Sequence, residues 1–315
     1  MRDEGTGAGS AGRVEVTLSD EVREALGHGR GVVALESTIL CHGLPFPQSL
    51  ETHRAAEEAV RREGAVPALV AVVDGVPRAG FDEQGAEELA RSGARVRKAT
   101  TRDLGLLAAR RESGATTVAA TMAIAAAAGI RVFATGGIGG VHRGAAETFD
   151  VSADLLELGR TRVAVVAAGA KAVLDLPRTL EALETLGVPV VGFGTSELPA
   201  FWVRSSGLPL EVRCDDAAEL ARLARAHWAW PSGGGILVAN PVPAEAALLR
   251  EAVDGAIERS LAAAREQGVA GKAVTPFLLA RLAEETGGRT LAANRALVVS
   301  NASVAGRLAV ALAAA

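Results

Sequence analysis

The chain has 315 residues, 49% of them hydrophobic, so it holds ample material for a large buried core. Its formal net charge of −4 gives no general attraction to nucleic acid or anionic membrane, so any basic site must be local. Two cysteines, Cys41 and Cys214, exclude a disulfide framework and point to a reducing, cytoplasmic setting. The opening MRDEGTGAGSAGR has no signal-peptide core, and the most apolar window, Val118 to Ile130, is too short to span a bilayer. Residues 1–13 are therefore expected to be a disordered tail and 14–315 a single domain.

Apolar runs recur along that domain, at 31–36, 68–75, 131–137, 162–169, 188–194 and 234–240. They are apolar throughout and do not alternate, which is the pattern of strands buried on both faces of a parallel sheet. Helical stretches lie between them, at 51–64, 103–113, 118–129, 177–187 and 215–230, with Pro177 in a first turn and Gly64, Gly129 and Gly187 as stops. The last third changes character. Residues 243–267, 275–286 and 290–312 predict three helices with no strand among them. The expected fold is an α/β layered domain with a mainly parallel sheet and a helical C-terminal third.

In such sheets chemistry gathers where strands end. LESTILCHGLPFPQ places Glu36 at the end of a buried run, followed by Ser37, Thr38 and His42. A carboxylate there has a raised pKa and serves as general acid or base, or it pairs with an arginine or accepts backbone amides. RVRKATTRDLG sets Lys98 between a short strand and a helix capped near Thr101, either against a phosphate or in solvent. FATGGIGGVHRGAAETFDVSADL is dense in glycine, which is costly unless the backbone closely approaches something. It meets neither the dinucleotide fingerprint nor the P-loop pattern. What remains is an anion-friendly loop with His142 and Arg143, then Asp150, Ser152 and Asp154, with Ser152 placed to cap a helix from Ala153. This trio is either a ligand site or merely a cap, and one or two carboxylates imply at most a loosely held, water-rich metal at Asp150.

Of 33 basic residues only Lys98, Lys171 and Lys272 are lysine. Lys171 follows the apolar run in AGAKAVLDLP, and lysine, unlike arginine, becomes a neutral amine nucleophile when desolvated. The plainer alternative pairs it with Asp175 or Glu36. Lys272, in the helical third, is read as structural or lining an entrance. Asn294 and Asn301 share one face of the final helix, where they either stitch it down or read a ligand amide such as a pyrimidine edge.

VALESTILCHGLPFPQSLET, GATTVAATM, VFATGGIGGVHRGAAETFDVSADL, AGAKAVLDLPRTLEALETLGVPVVGFGT, LPAFWVRSSGLP and GKAVTPFLLARLAEETGGRTLAANRALVVSNA resemble the pseudouridine-5′-phosphate glycosidase family, also called indigoidine synthase A-like. The resemblance runs over residues 14–312. It implies a catalytic domain that reversibly cleaves the carbon–carbon glycosidic bond of pseudouridine 5′-phosphate to uracil and ribose 5-phosphate. By motif, Lys171 is the nucleophile that forms an imine with C1′ of the opened ribose, and Glu36 is the proton donor. Asp150 is the ligand of a divalent metal, usually manganese. Lys98, Val118, Ser152, Ala153 and Asp154 bind substrate, and Thr135, His142 and Asn294 are assigned to phosphate or uracil contacts. A homotrimer with a three-layer α/β/α core is also implied, while charge and composition leave a cytoplasmic protein with no nucleic-acid or membrane partner expected. Rival readings are a Schiff-base lyase acting on another sugar phosphate and a non-enzymatic sugar-phosphate-binding protein.

Overall fold

The computed structural model describes residues 14–269 and 274–314, so the expected tail at 1–13 and Lys272 lie outside it. In chain order the elements are β1 (Thr17–Leu18), α1 (Asp20–Gly27), β2 (Val32–Glu36), α2 (Gln48–Arg62), β3 (Val66–Val73), β4 (Val76–Ala79), α3 (Glu83–Ser92), β5 (Arg97–Ala99) and α4 (Thr101–Arg110). There follow β6 (Gly114–Thr116), α5 (Val118–Ala127), β7 (Val132–Ala134), α6 (Ala145–Thr148), α7 (Ala153–Arg160), β8 (Ala164–Ala167), α8 (Leu176–Thr185), β9 (Val190–Phe193), β10 (Val212–Cys214), α9 (Ala217–Ala229) and β11 (Ile236–Ala239). The chain ends in α10 (Arg250–Glu266), α11 (Val274–Glu285) and α12 (Arg289–Ala313).

Among the described residues the strands form one 11-stranded sheet, whose main path runs β1-β4-β3-β2-β7-β8-β11-β9-β10. Every pairing is parallel except β3 with β4 and β3 with β6. All residues of β2, β7, β8 and β11 are buried, as their unbroken apolar runs require. From β2 the chain crosses to β3 on one side, and from β7 it crosses to β8 on the other. Right-handed crossovers in opposite directions put α2 and α7 on opposite faces of the sheet, the α/β/α layering expected. They also make the gap between the ends of β2 and β7 a topological switch point, where a crevice opens.

β6 sharpens that crevice. β2 stops at Glu36, opposite Val70, and β6 takes over beside β3, pairing Ala71 with Ala115. The residues after Glu36 are stitched to it: the Thr116 N–H donates to Ser37 Oγ at 2.8 Å, and Thr38 Oγ1 donates to the Thr116 carbonyl at 2.7 Å.

The helix expected from Pro243 starts instead at Arg250, preceded by a single 3₁₀ turn at Ala244–Ala246. Ala247 is extended, and the Leu248 N–H donates to the Trp202 carbonyl at 2.9 Å, which holds the segment out of helical geometry. By length and composition α12 is apolar enough to cross a bilayer, unlike the shorter window singled out from sequence. It packs instead against α2, α9, β7 and β8, with Leu297, Asn301, Ala305 and Leu308 buried, as a core helix must.

Candidate active site

Glu36, at the end of β2, is 7% exposed. Beside it Thr135, the first residue after β7, donates its hydroxyl to Glu36 Oε1 in a short hydrogen bond. Burial pushes the Glu36 carboxyl above its ordinary range; the Lys171 charge and the Thr135 hydroxyl pull it back without reversing the direction. Burial thus favours the protonated form of this side chain.

Lys171 is not on a strand. After β8 the chain runs on through Ala168–Ala170, and Lys171 is fixed by its backbone, whose N–H donates to the Ile138 carbonyl at 3.1 Å. The side chain is half-buried and, among the described residues, forms no ion pair with Glu36 or Asp175. Asp175 instead caps α8, accepting the Arg178 N–H at 3.1 Å. The charge of Lys171 is nonetheless felt at Glu36 and at His142.

Two lobes meet at this pair, sharing Glu36, Thr38, Lys98 and Lys171 in their walls. The polar lobe, ≈ 370 Å³, contains Asp150, Ser152, Ala153, Asp154, His142 and Val118, and so unites most of the residues expected to bind substrate. Its size falls within the range of about 300–1,000 Å³ usual for small-molecule sites. The second lobe, ≈ 90 Å³, is walled by Phe201, Leu279, Leu297 and Val298, with Thr135 and Asn294 among its polar members. Arg143, next to His142, is not brought in; it lines a separate cavity with Asp175 and Arg250.

The polar lobe is built from two helix starts. Thr100 precedes α4, where it forms a capping box with Asp103, and Thr117 precedes α5 with a buried hydroxyl that has no hydrogen-bond partner among the described residues. Lys98, on β5, and Arg102, in the first turn of α4, line the same lobe. Val118 is the first residue of α5, so its contribution is the backbone N–H and not its buried side chain. An unpaired hydroxyl, two cations and two helix N-termini make a seat for a phosphate. Sequence reading found Lys98 and Val118 but missed Thr100, Arg102 and Thr117. The signal for the threonines was their position immediately before a helix.

Asp154, in the wall of the polar lobe, also holds the fold together there. It is 5% exposed, and its two oxygens accept the N–H of Ala119 at 2.9 Å and of Gly139 at 2.8 Å. One carboxylate thus pins α5 to the glycine-rich loop. Ser152 caps α7 as expected, with Oγ accepting the Asp154 N–H at 3.2 Å. The close approach that the loop glycines permit is to the protein itself: a Cβ on Gly139 would lie 2.3 Å from Ser152 Oγ, and one on Gly137 would lie 2.7 Å from the Phe201 ring.

Asp150, at the mouth of the lobe, has 42% of its side chain exposed, and one oxygen lies 3.8 Å from His142 Nδ1. Burial holds His142 below its ordinary pKa against the pull of Asp150, and the Lys171 and Lys98 charges act in the same sense as burial. Among the described residues no set of three His, Cys, Asp or Glu converges on one point. A lone carboxylate fits a hard cation that keeps most of its waters and shares a phosphate; it does not fit a closed protein cage. On α12, Asn301 is the amide that stitches: fully buried, its Nδ2 donates to the Thr135 carbonyl at 2.7 Å, while its Oδ1 accepts from Asn240 at 2.9 Å. Asn294 is the one that faces a lobe.

The indigoidine synthase A-like family model matches residues 21–311. The chain is 53% identical over 300 residues to a pseudouridine-5′-phosphate glycosidase of Myxococcus xanthus, covering 95% of this chain and 99% of that one. It is 51% identical over 292 residues to a pseudouridine-5′-phosphate glycosidase of Escherichia coli, covering 93% and 94% of the two. Among solved structures, the prealnumycin C-glycosynthase AlnA in complex with ribulose 5-phosphate superposes with a TM-score of 0.88 at 42% identity, over 95% of this chain and 97% of that one. With a family match across nearly the whole length, relatives above half identity and a shared fold, this chain belongs to the indigoidine synthase A-like family.

Proposed function

We propose that the protein is a pseudouridine-5′-phosphate glycosidase, cleaving the bond between C1′ and the base reversibly to uracil and ribose 5-phosphate. The observation that carries this reading is the junction itself: an amine and a buried acid, Lys171 and Glu36, stand where a cationic polar lobe meets a small apolar one. A sugar phosphate fits the first lobe and a flat base the second.

The carbon–carbon bond demands this pair. The leaving atom of a C-nucleoside is carbon, so two carboxylates flanking an intact ring, the usual glycosidase device, do not suffice. Glu36 gives a proton to the ring oxygen as the ribose opens, and Lys171 Nζ bonds to C1′. The C1′–base bond then breaks, its electron pair passing to the base carbon, which takes up a proton, while the nitrogen lone pair forms the C1′ imine. Water hydrolyses the imine, returning the free amine and ribose 5-phosphate. Lys98, Arg102, Thr100 and Thr117 hold the phosphate, whose remote binding energy orients the sugar. His142, kept neutral by burial, accepts or donates a hydrogen bond at the sugar without adding charge. Asp150 would hold a divalent cation such as manganese, which when bound neutralises phosphate charge.

Exposed apolar side chains beside the polar lobe also support a homotrimer. Phe149 is 84% exposed, Val151 50% and Leu156 55%, apolar surface suited to burial against another copy. Two buried free cysteines accord with a cytoplasmic protein.

The test has two parts. Incubation with pseudouridine 5′-phosphate releases uracil, read by absorbance. Borohydride with ribose 5-phosphate leaves a pentose-phosphate adduct on Lys171 by mass spectrometry, and not on Lys98 or Lys272. Uracil release without any adduct sinks the imine. An adduct without uracil release favours a Schiff-base lyase for another sugar phosphate, and neither result leaves only a binding protein.

A further inference from the structure

Trp202 is buried to 1% exposure, and its one polar atom, the indole N–H, donates to Asn294 Oδ1 at 2.7 Å. An indole nitrogen is a donor and nothing else, so this bond fixes which end of the Asn294 amide is oxygen. The NH₂ end is left without a protein partner among the described residues, on a side chain that lines the apolar lobe. Trp202 itself is held firmly. Its ring stacks edge-on against Phe201, with centroids 5.0 Å apart at 61°. Its carbonyl accepts the Leu248 N–H at 2.9 Å, and the Phe201 N–H donates at 3.0 Å to Ala168, on the segment that leads into Lys171.

We propose that Trp202 is the specificity-determining residue of the base lobe, because it locks Asn294 with its amide N–H groups toward the base, so that a ring carbonyl is accepted there and an amino group is refused. This rests on the reading that the lobe receives a pyrimidine. A carbonyl facing the amide accepts a hydrogen bond, whereas an amino group sets donor against donor and leaves buried groups unpaired, which is the strong form of discrimination. Amide torsions are broad and two-fold, so without the indole N–H the Asn294 group turns over and presents its oxygen. Selectivity then decays although the lobe keeps its shape.

The test is calorimetric titration of the protein, without ribose 5-phosphate so that no reverse reaction contributes heat, by uracil, by cytosine (amino at C4) and by isocytosine (amino at C2). Wild type is expected to prefer uracil at least tenfold over one of the two amino bases. In Trp202→Phe that ratio falls to within threefold, while uracil binding weakens less than tenfold. Asn294→Asp keeps the acceptor for Trp202 and replaces the donor by an acceptor, so its preference turns toward the same amino base; it decides the matter if Trp202→Phe does not fold. No discrimination in wild type, a wild-type ratio in folded Trp202→Phe, or an unturned ratio in Asn294→Asp overturns the assignment. Wild type that binds uracil selectively yet never cleaves pseudouridine 5′-phosphate overturns the glycosidase reading and leaves the role of Trp202 intact.

Discussion

The Thr135 hydroxyl donates to the Glu36 carboxylate across the gap between two adjacent strand ends, joining residues 99 positions apart in sequence. The same Thr135 is held from behind by Asn301, whose amide donates to its carbonyl at 2.7 Å. Thr135 therefore orients the acid and moderates its proton affinity at once. The hydroxyl favours the ionised carboxylate and so pulls the raised pKa of Glu36 down. Thr135→Val should move it further up. Activity that requires protonated Glu36 is lost as pH rises through that pKa, so the alkaline limb of kcat/KM shifts to higher pH in the variant. With the carboxyl no longer held, kcat should fall by up to the ~10²-fold that a positioned acid contributes. Thr135→Ser should restore both. A pH profile of the three proteins checks this.

Burial of Glu36 has a cost visible in stability. Its folded pKa is raised above the unfolded value, so its contribution is most favourable at low pH and is lost as pH rises through the folded pKa. Glu36→Gln keeps the shape and carries no charge to bury. Relative to wild type, the variant should gain stability progressively as pH rises through the folded pKa of Glu36, while turnover collapses. Thermal melts of both proteins across a pH series test the sign. A gap that widens toward low pH contradicts it.

Much of this was legible in the sequence because the chemistry sits on strong local signals. The runs at 31–36, 131–137, 162–169 and 234–240 became β2, β7, β8 and β11, since continuous β-branched and alanine stretches have no other stable place than a buried parallel sheet. Glu36 and Lys171 stood out as charges at the ends of such runs. β1 (TL), β4 (VPRA) and β6 (GAT) did not, because none is a continuous apolar run. β4 even carries Pro77 and Arg78, and it is β3 that recruits it. Nor could spacing reveal that Asp154 serves two backbone amides, or which of Asn294 and Asn301 faces ligand. Both asparagines lie on one helix face, and only the approach of Asn240 and Trp202 separates their roles.

Asp154 and Asp150, close in sequence, should fail in different ways. Asp154→Ala leaves the N–H groups of Ala119 and Gly139 without their acceptor inside the fold. Hydrogen bonds to a charged acceptor are worth roughly 1.5–3 kcal/mol each, and orphaned donors add to the loss, so destabilisation of about 3 kcal/mol or more is expected. Asp150→Ala removes a carboxylate with 42% of its side chain in solvent and should leave the melting midpoint nearly unchanged. Its effect should instead be a loss of the response of substrate affinity to added divalent cation. Denaturant melts together with a manganese titration of both variants separate the two roles. A stable Asp154→Ala protein refutes the first.

Thr117 presents the opposite balance. Its hydroxyl is buried and unpartnered among the described residues, a state that costs stability until a ligand supplies the acceptor. Thr117→Val keeps nearly the same volume and removes the unpaired group, so the free protein should gain up to ~1 kcal/mol. Substrate loses a donor to its phosphate, and KM for pseudouridine 5′-phosphate should rise ~5–10-fold with little change in kcat, the mark of lost uniform binding. Unphosphorylated pseudouridine should be handled alike by wild type and variant, since it never reaches the hydroxyl. Lys98→Met should raise KM more steeply, because it removes a cation from the same lobe. Melting midpoints and KM values for both substrates decide the matter: a variant that is less stable, or equally impaired on the unphosphorylated nucleoside, refutes the phosphate seat.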